Sequence, residues 1–205
     1  MYKACVRCVL DNVEVPEIVF DDKGVCNYCR VWEVIEAERR VEATNLPWVL
    51  DNIRKQGKGK TYDVLLGLSG GVDSSTCLPY LKEHDIRVLC WTMDNGYNDP
   101  KADENIMRLV EGMGVPLIRY VLDLDAFKEL QAKFISSGTK NLEIPTDHVL
   151  LAAGYEMANR YGIKTIISGG NHATEGIMPK SYGYDAKDLT FIKSVAGRIK
   201  NLPTI

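Results

Sequence analysis

From Tyr62 onward, apolar runs of strand length alternate with stretches of helical length, and this alternation limits the possible folds more than any other feature of the chain. The run "YDVLLGL" (62–68) ends in glycine-rich sequence and suits a strand covered on both faces of a parallel sheet. Residues 72–84 read as helix, and "IRVLCWTM" (86–93) as a second strand. "NDPKADENIMRLVEGMG" (98–114) is a helix with Asp99 as N-cap and Pro100 at its first position. "VPLIRYVL" (115–122) gives a third strand, 124–137 and 146–161 two more helices, and "IKTIISGG" (163–170) a fourth strand. Alternation of this kind predicts an α/β fold, a doubly wound parallel sheet with helices on both faces. Ligands then belong at the carboxyl ends of the strands, near the switch in strand order, and the fourth strand is expected beside the first.

The residues before Tyr62 follow a different pattern. Four of the six cysteines fall in the first 29 residues, as Cys5-x2-Cys8 and, after 17 residues, Cys26-x2-Cys29. Two residues between thiolates let one tight turn aim both sulfurs at an ion, and two such turns complete a tetrahedron. Gly24 eases the second turn. The spacing predicts a zinc-ribbon-like module whose Zn²⁺, held by four protein ligands, has no position open to substrate and is structural. An iron–sulfur cluster uses the same ligand type. Residues 31–56 read as a helix, a break near Pro47 and a shorter helix, and "QGKGK" (56–60) as a flexible join. The organisation expected is a zinc-binding module with helical linker over 1–56 and a nucleotide-binding domain over 57–205.

Composition narrows the partners. With 45% hydrophobic and 26% charged residues in 205, the chain can bury a core. A net charge of −3 without a long basic run argues against a nucleic-acid partner. The N-terminus lacks a signal-peptide layout and no apolar run reaches membrane-spanning length, so a cytoplasmic location without membrane contact is expected. In that reducing compartment the cysteines do not form a disulfide framework.

"DVLLGLSGGVDSST" (63–76) carries the chemistry. It is not the G-x-x-x-x-G-K-[ST] loop, because the lysine is missing. Gly70 and Gly71 let backbone N–H groups approach an anion, and the following helix aims its positive dipole end at the same place. Ser69, Ser74 and Ser75 add hydroxyls. Asp73 beside phosphates makes sense with Mg²⁺ between them. The competing reading is a strand-to-helix turn whose glycines serve packing alone.

"SGGVDSS" resembles the PP-loop of the N-type ATP pyrophosphatases, which include ammonia-using synthetases and tRNA-thiolating enzymes. That resemblance implies cleavage of ATP between the α- and β-phosphates, with the loop holding the departing pyrophosphate. Together with "CVRCVLDN", "PEIVFDDKGVCNYC" and "GGNHATEGIMPKSYGYDAKDL", the chain resembles the N-acetyl sugar amidotransferases along essentially its whole length. Members of that family run beyond the point matching Ile205, so the second domain is expected to be shortened at its C-terminus. The resemblance implies an ATP-dependent ligase that turns the acetamido group of an N-acetyl sugar, carried as a nucleotide sugar, into an acetamidino group for bacterial surface glycans such as lipopolysaccharide. It also implies a separate glutaminase subunit supplying ammonia.

The same resemblance assigns Ser69, Gly70, Gly71, Asp73, Ser74 and Ser75 to the pyrophosphate and Mg²⁺, with Asp73 and Ser74 catalytic. Backbone around Thr92 and Met93 would read adenine and Asp94 lie near the ribose, although Met93 equally suits core packing. Ser168, Gly169 and Gly170 would face the α-phosphate or ribose. Asn171, His172, Glu175 and His148 fall to the substrate, and His172 and Lys180 join the catalytic set. A solvated lysine is the competing reading of Lys180, and a helix cap that of Asp147. Cys77 and Cys90 read as core. Two other functions stay open: a PP-loop tRNA sulfurtransferase, and a non-catalytic nucleotide-binding subunit.

Overall fold

The computed structural model describes residues 1–171, 175–176, 178–183, 185–198 and 200–204, with Lys180 described by its backbone alone. The chain forms two compact units, one of Met1–Trp48 with Asn171–Tyr184, the other of Val49–Gly170 with Asp185–Ile205.

The larger unit is built on four parallel strands: β1 (Val64–Gly67), β2 (Val88–Asp94), β3 (Leu117–Val121) and β4 (Thr165–Ile167). Their order is β3-β2-β1-β4, so the last strand lies beside the first, as the alternation predicts. The chain steps outward from β1 to β3 and then crosses back to β4. That reversal places the switch in strand order between β1 and β4, where the loops after both strands share one edge.

Alternate side chains of the strands serve opposite faces. Val64, Leu66, Val88 and Cys90 pack against Leu78 and Leu81 of α3 (Val72–Glu83) and Ile106 and Val110 of α4 (Pro100–Met113). Leu50 and Ile53 of α2 (Leu46–Gln56) join the same cluster, so this helix is part of the sheet's own core. On the other face Leu65, Leu89 and Trp91 meet Ala153, Met157 and Ala158 of α6 (Ile144–Arg160). Each such aliphatic side chain, taken fully from water, contributes about 1.5–3 kcal/mol. Beyond this layer, α5 (Leu124–Ser136) and α7 (Leu189–Ala196) bury Leu130, Phe134 and Ile192 together.

Helix ends follow local chemistry. Asp99 caps α4 by accepting from Lys101 N–H, and Gly114 closes the helix at φ 62° in the left-handed region. Asp123 caps α5 by accepting from Ala126 N–H. α3 differs: its N-cap is Gly71, with no side-chain acceptor for the first amides.

The smaller unit has little regular structure beyond α1 (Asn27–Ala43) and a 3-10 turn at Lys180–Tyr182. Its core is Leu10, Val15 and Ile18 packed around Cys5, Cys26 and Cys29. Among the described residues, no helix is long and apolar enough to cross a membrane.

Candidate functional site

The loop between β1 and α3 is held from two sides. Gly70 has φ 77°, and a Cβ there would come within 2.4 Å of the Ala102 carbonyl oxygen on α4. Asn105 of α4 also donates its side-chain amide to Gly70 O at 3.3 Å. From β4, Gly169 packs so closely on α3 that a Cβ would lie 2.6 Å from Ser74 N and Cα. Only residues without side chains fit at these two points.

The hydroxyls make the loop rigid. Ser74 is buried, and its Oγ accepts from Ser69 N–H at 3.1 Å and lies 3.0 Å from Ser69 Oγ. Ser75 Oγ donates to Gly71 O at 2.7 Å. A sharp turn leaves backbone groups without strand or helix partners, and these short side chains satisfy them. The exposed inner surface is therefore the backbone of Ser69 and Gly71, the uncapped first turn of α3 and Asp73. Uncapped amides at a helix N-terminus suit a polyphosphate, and the exposed Asp73 carboxylate suits Mg²⁺ bound to it.

Along the same edge, β2 runs past β1, ending at Asp94. Thr92 is buried, while Met93 and Asp94 are half-buried. Met93 also packs against the apolar layer of α6, and its carbonyl accepts from Asn98 Nδ2 at 3.1 Å. The residue missed from sequence is Arg119 on β3. It pairs with Asp103 at 2.8 Å and Asp94 at 3.6 Å. The Arg119 guanidinium holds the Asp103 carboxyl below the usual carboxylate range. Its signal was present as an arginine inside the apolar run "VPLIRYVL". Asn98, Asp103 and Arg119 fix the loop that follows Asp94.

In the smaller unit, the sulfurs of Cys5, Cys8, Cys26 and Cys29 all lie within 4.8 Å of one another. Cys5–Cys29 and Cys8–Cys26 separations are 4.0 and 3.7 Å. Tetrahedral zinc with Zn–S bonds of about 2.3 Å needs sulfurs about 3.8 Å apart. Sulfurs this close enclose one ion, whereas a multi-iron cluster holds its ligands farther apart. The amides of Arg7 and Cys26 donate to Cys5 Sγ at 3.4 and 3.3 Å, and Cys29 N–H donates to Cys26 Sγ at 3.4 Å. Burial alone would raise the Cys5 thiol, but the backbone amides of Arg7, Cys26 and Cys8 outweigh it and bring it down to about 6. The donor set fits Zn²⁺, which when bound supplies a structural cross-link and no open coordination position.

The remaining expected site residues are placed unevenly. Ser168 and Gly170 flank Gly169 at the end of β4. Asn171 and Glu175 form a local turn, in which Asn171 N–H donates to the Glu175 carboxylate at 3.1 Å and Glu175 N–H to Asn171 O at 2.8 Å. His172 and the Lys180 side chain lie outside the described residues. His148 is buried on α6, with Nδ1 2.7 Å from Ala186 O. Burial, then the Asp73 carboxylate, pushes the Cys77 thiol up, and burial pushes Cys90 to about 12.

A glycine loop at the switch point of a parallel sheet, backed by an uncapped helix, defines a PP-loop nucleotide site of the ATP-utilising kind. The family model described as "Queuosine biosynthesis protein QueC" matches residues 63–182, more than half of the chain, and the chain belongs to this family. The glutamine-dependent NAD⁺ synthetase of Acinetobacter baumannii, solved with ADP, is similar at TM-score 0.50 and 20% identity over 62% of this chain and 24% of that one. An NMN synthetase from Francisella tularensis gives TM-score 0.49 and 16% identity, over 65% of this chain and 55% of that one. An NH3-dependent NAD synthetase from Campylobacter jejuni subsp. jejuni NCTC 11168, solved with nitrate, gives 0.46 and 19%, over 60% and 54%. The chain thus covers about a quarter of the first relative's length and about half of the other two. No curated protein matches it.

Proposed function

We propose that this chain is an ATP-dependent amidotransferase that converts the acetamido group of an N-acetyl sugar, presented as a nucleotide sugar, into an acetamidino group. The observation that carries the ATP chemistry is the loop at 69–75, whose uncapped amides and close-packed glycines offer an anion cradle without a lysine. The acetamido oxygen attacks the α-phosphorus of ATP, and pyrophosphate leaves into the cradle. Mg²⁺ at Asp73 would neutralise charge on the phosphates. Ammonia then adds to the imidate carbon, and AMP departs with the oxygen. A glutaminase subunit would supply the ammonia.

The sugar is supported by the sequence at 169–189, which begins with the two glycines after β4, carries Asn171, His172, Glu175 and Lys180, and resembles that of the N-acetyl sugar amidotransferases. A second reading, an enzyme of queuosine biosynthesis, is favoured by the family match. That match begins at residue 63 and leaves the cysteine module outside it. Against tRNA thiolation, burial pushes the Cys77 and Cys90 thiols up and so lowers the thiolate fraction of both.

The test is AMP formation from Mg·ATP and ammonium across a panel of acetamido nucleotide sugars, precursors of queuosine and tRNA, with products weighed. AMP with one sugar, and a product lighter by the exchange of oxygen for NH, is the expected result. AMP elicited only by a queuosine precursor or by tRNA overturns the sugar reading.

A further inference from the structure

The stretch 171–184, which carries Asn171, His172, Glu175 and Lys180 of the amidotransferase reading, belongs to the same compact unit as the cysteine module. Within that unit a single carboxylate oxygen links the two. Glu17 Oε1 accepts from Ser181 N–H at 3.3 Å and from Tyr28 Oη at 3.1 Å. Tyr28 is one of the two residues between Cys26 and Cys29, so the position of its ring is set by the turn that aims those sulfurs. Glu17 itself stands between Val15 and Ile18, both buried in the cluster that contains Cys5, Cys26 and Cys29. Asn27, the other residue of that turn, fixes the segment around Glu17, its side-chain oxygen accepting from Val19 N–H at 2.9 Å and its own N–H donating to Val19 O at 2.8 Å. At the other end Ser181 lies in the 3-10 turn Lys180–Tyr182, which Tyr182 N–H closes on Pro179 O and the buried Pro179 anchors.

We infer that Glu17 is a positioning residue that makes the order of the 178–182 turn depend on the metal in the cysteine cluster. The second cysteine turn orients Tyr28, Tyr28 orients the Glu17 carboxylate, and Glu17 holds the Ser181 amide. Without the ion the four sulfurs have no common centre, the Tyr28 donor loses its fixed position, and the Ser181 amide loses its acceptor's orientation. The ion thereby acts on the turn that carries Lys180 while leaving the phosphate loop, which has its own hydrogen bonds, in place. The consequence for catalysis rests on the amidotransferase reading; the coupling itself does not.

Amide hydrogen exchange on the full-length zinc-loaded chain tests it, comparing wild type, Glu17→Ala, Glu17→Gln and Tyr28→Phe, and wild type after chelation. Exchange at Ser181 should accelerate about tenfold in Glu17→Ala and on chelation, the scale of one lost hydrogen bond to a charged acceptor. Glu17→Gln, which keeps an acceptor oxygen, should recover most of the protection, and Tyr28→Phe should give a smaller acceleration with zinc still bound. The 63–76 segment and the affinity for Mg·ATP should be unchanged throughout. Equal Ser181 exchange in wild type and Glu17→Ala, no recovery in Glu17→Gln, or equal acceleration at 63–76 would each overturn the inference. No sugar enters the measurement, so failure of the amidotransferase reading would show separately, as absent AMP with unaltered exchange behaviour.

Discussion

Val64, Leu65 and Leu66 of β1 are wholly buried, and apolar layers from α2, α3, α4 and α6 enclose them on both faces. Among its described residues the cysteine unit buries Leu10, Val15, Ile18 and Pro179 besides Cys5, Cys26 and Cys29, and much of α1 is exposed, Val31, Val34 and Val41 included. One unit owes its order to apolar area, and the other has a small core with directed bonds around four cysteine sulfurs placed to hold a metal. A core of a few side chains offsets little of the ordering entropy of the unit's two segments, Met1–Trp48 and Asn171–Tyr184, and an ion held by the four sulfurs would supply the difference. The sheet unit can instead spend close packing on function, holding Gly70 and Gly169 against neighbouring backbone to build a cradle.

The largest effect that separates the two units is metal removal. Structural zinc contributes on the order of 10 kcal/mol to folding a small module. Chelation, or Cys26→Ser, should bring amides of residues 1–48 to near-unfolded exchange rates while β1 and β2 stay protected. Equal loss in both units would erase the contrast.

Next comes the one buried charge of the sheet unit's base among the described residues. Asp63 is 3% exposed and accepts from the Arg87 backbone amide at 2.8 Å and from its guanidinium. Burial alone would raise its carboxyl, but Arg87 outweighs that and lowers it. Arg87→Ala removes the guanidinium, leaves the buried carboxylate with the residue-87 backbone amide, and should cost about 1–3 kcal/mol in urea unfolding. A depressed folded value means that the pair's stabilisation is fully present above the ordinary carboxylate range and lost as pH falls through the folded value. The gap between wild type and variant should therefore close in acid, below about pH 4.

A smaller change sharpens the cradle. Gly169→Ala places a methyl 2.6 Å from Ser74 backbone, which should cost about 1–3 kcal/mol and weaken Mg·ATP binding without altering zinc content. Asp73→Asn, on an exposed side chain, should change stability by no more than about 0.5 kcal/mol. Its effect belongs to the chemistry, a loss of about a hundredfold in AMP formation.

These contrasts also mark what the sequence made legible. The strands, the Asp99–Pro100 start of α4, the cysteine spacing and the glycine loop are local patterns, and each corresponds to an observed element. The placement of β4 beside β1 follows from topology rules acting on those patterns. What stayed hidden is long-range. Leu50 and Ile53 enter the sheet core from a helix that reads as linker, Arg119 reaches Asp103 and Asp94 from another strand, and Ser181 meets Glu17 across 164 positions. Ser74 shows the same limit in small. Its identity suggested a ligand donor, while its Oγ is taken by the loop's own backbone, a partnership only the folded turn reveals.

The most direct test of the central claim is the identity of the phosphate bond that breaks, read by phosphorus NMR on Mg·ATP incubated with the full chain, ammonium and an accepting substrate. AMP and pyrophosphate are expected in equal amounts, both abolished together in Gly70→Ala. ADP and inorganic phosphate as the products would contradict it, because a cradle for departing pyrophosphate has no role when only the terminal phosphoryl group is transferred.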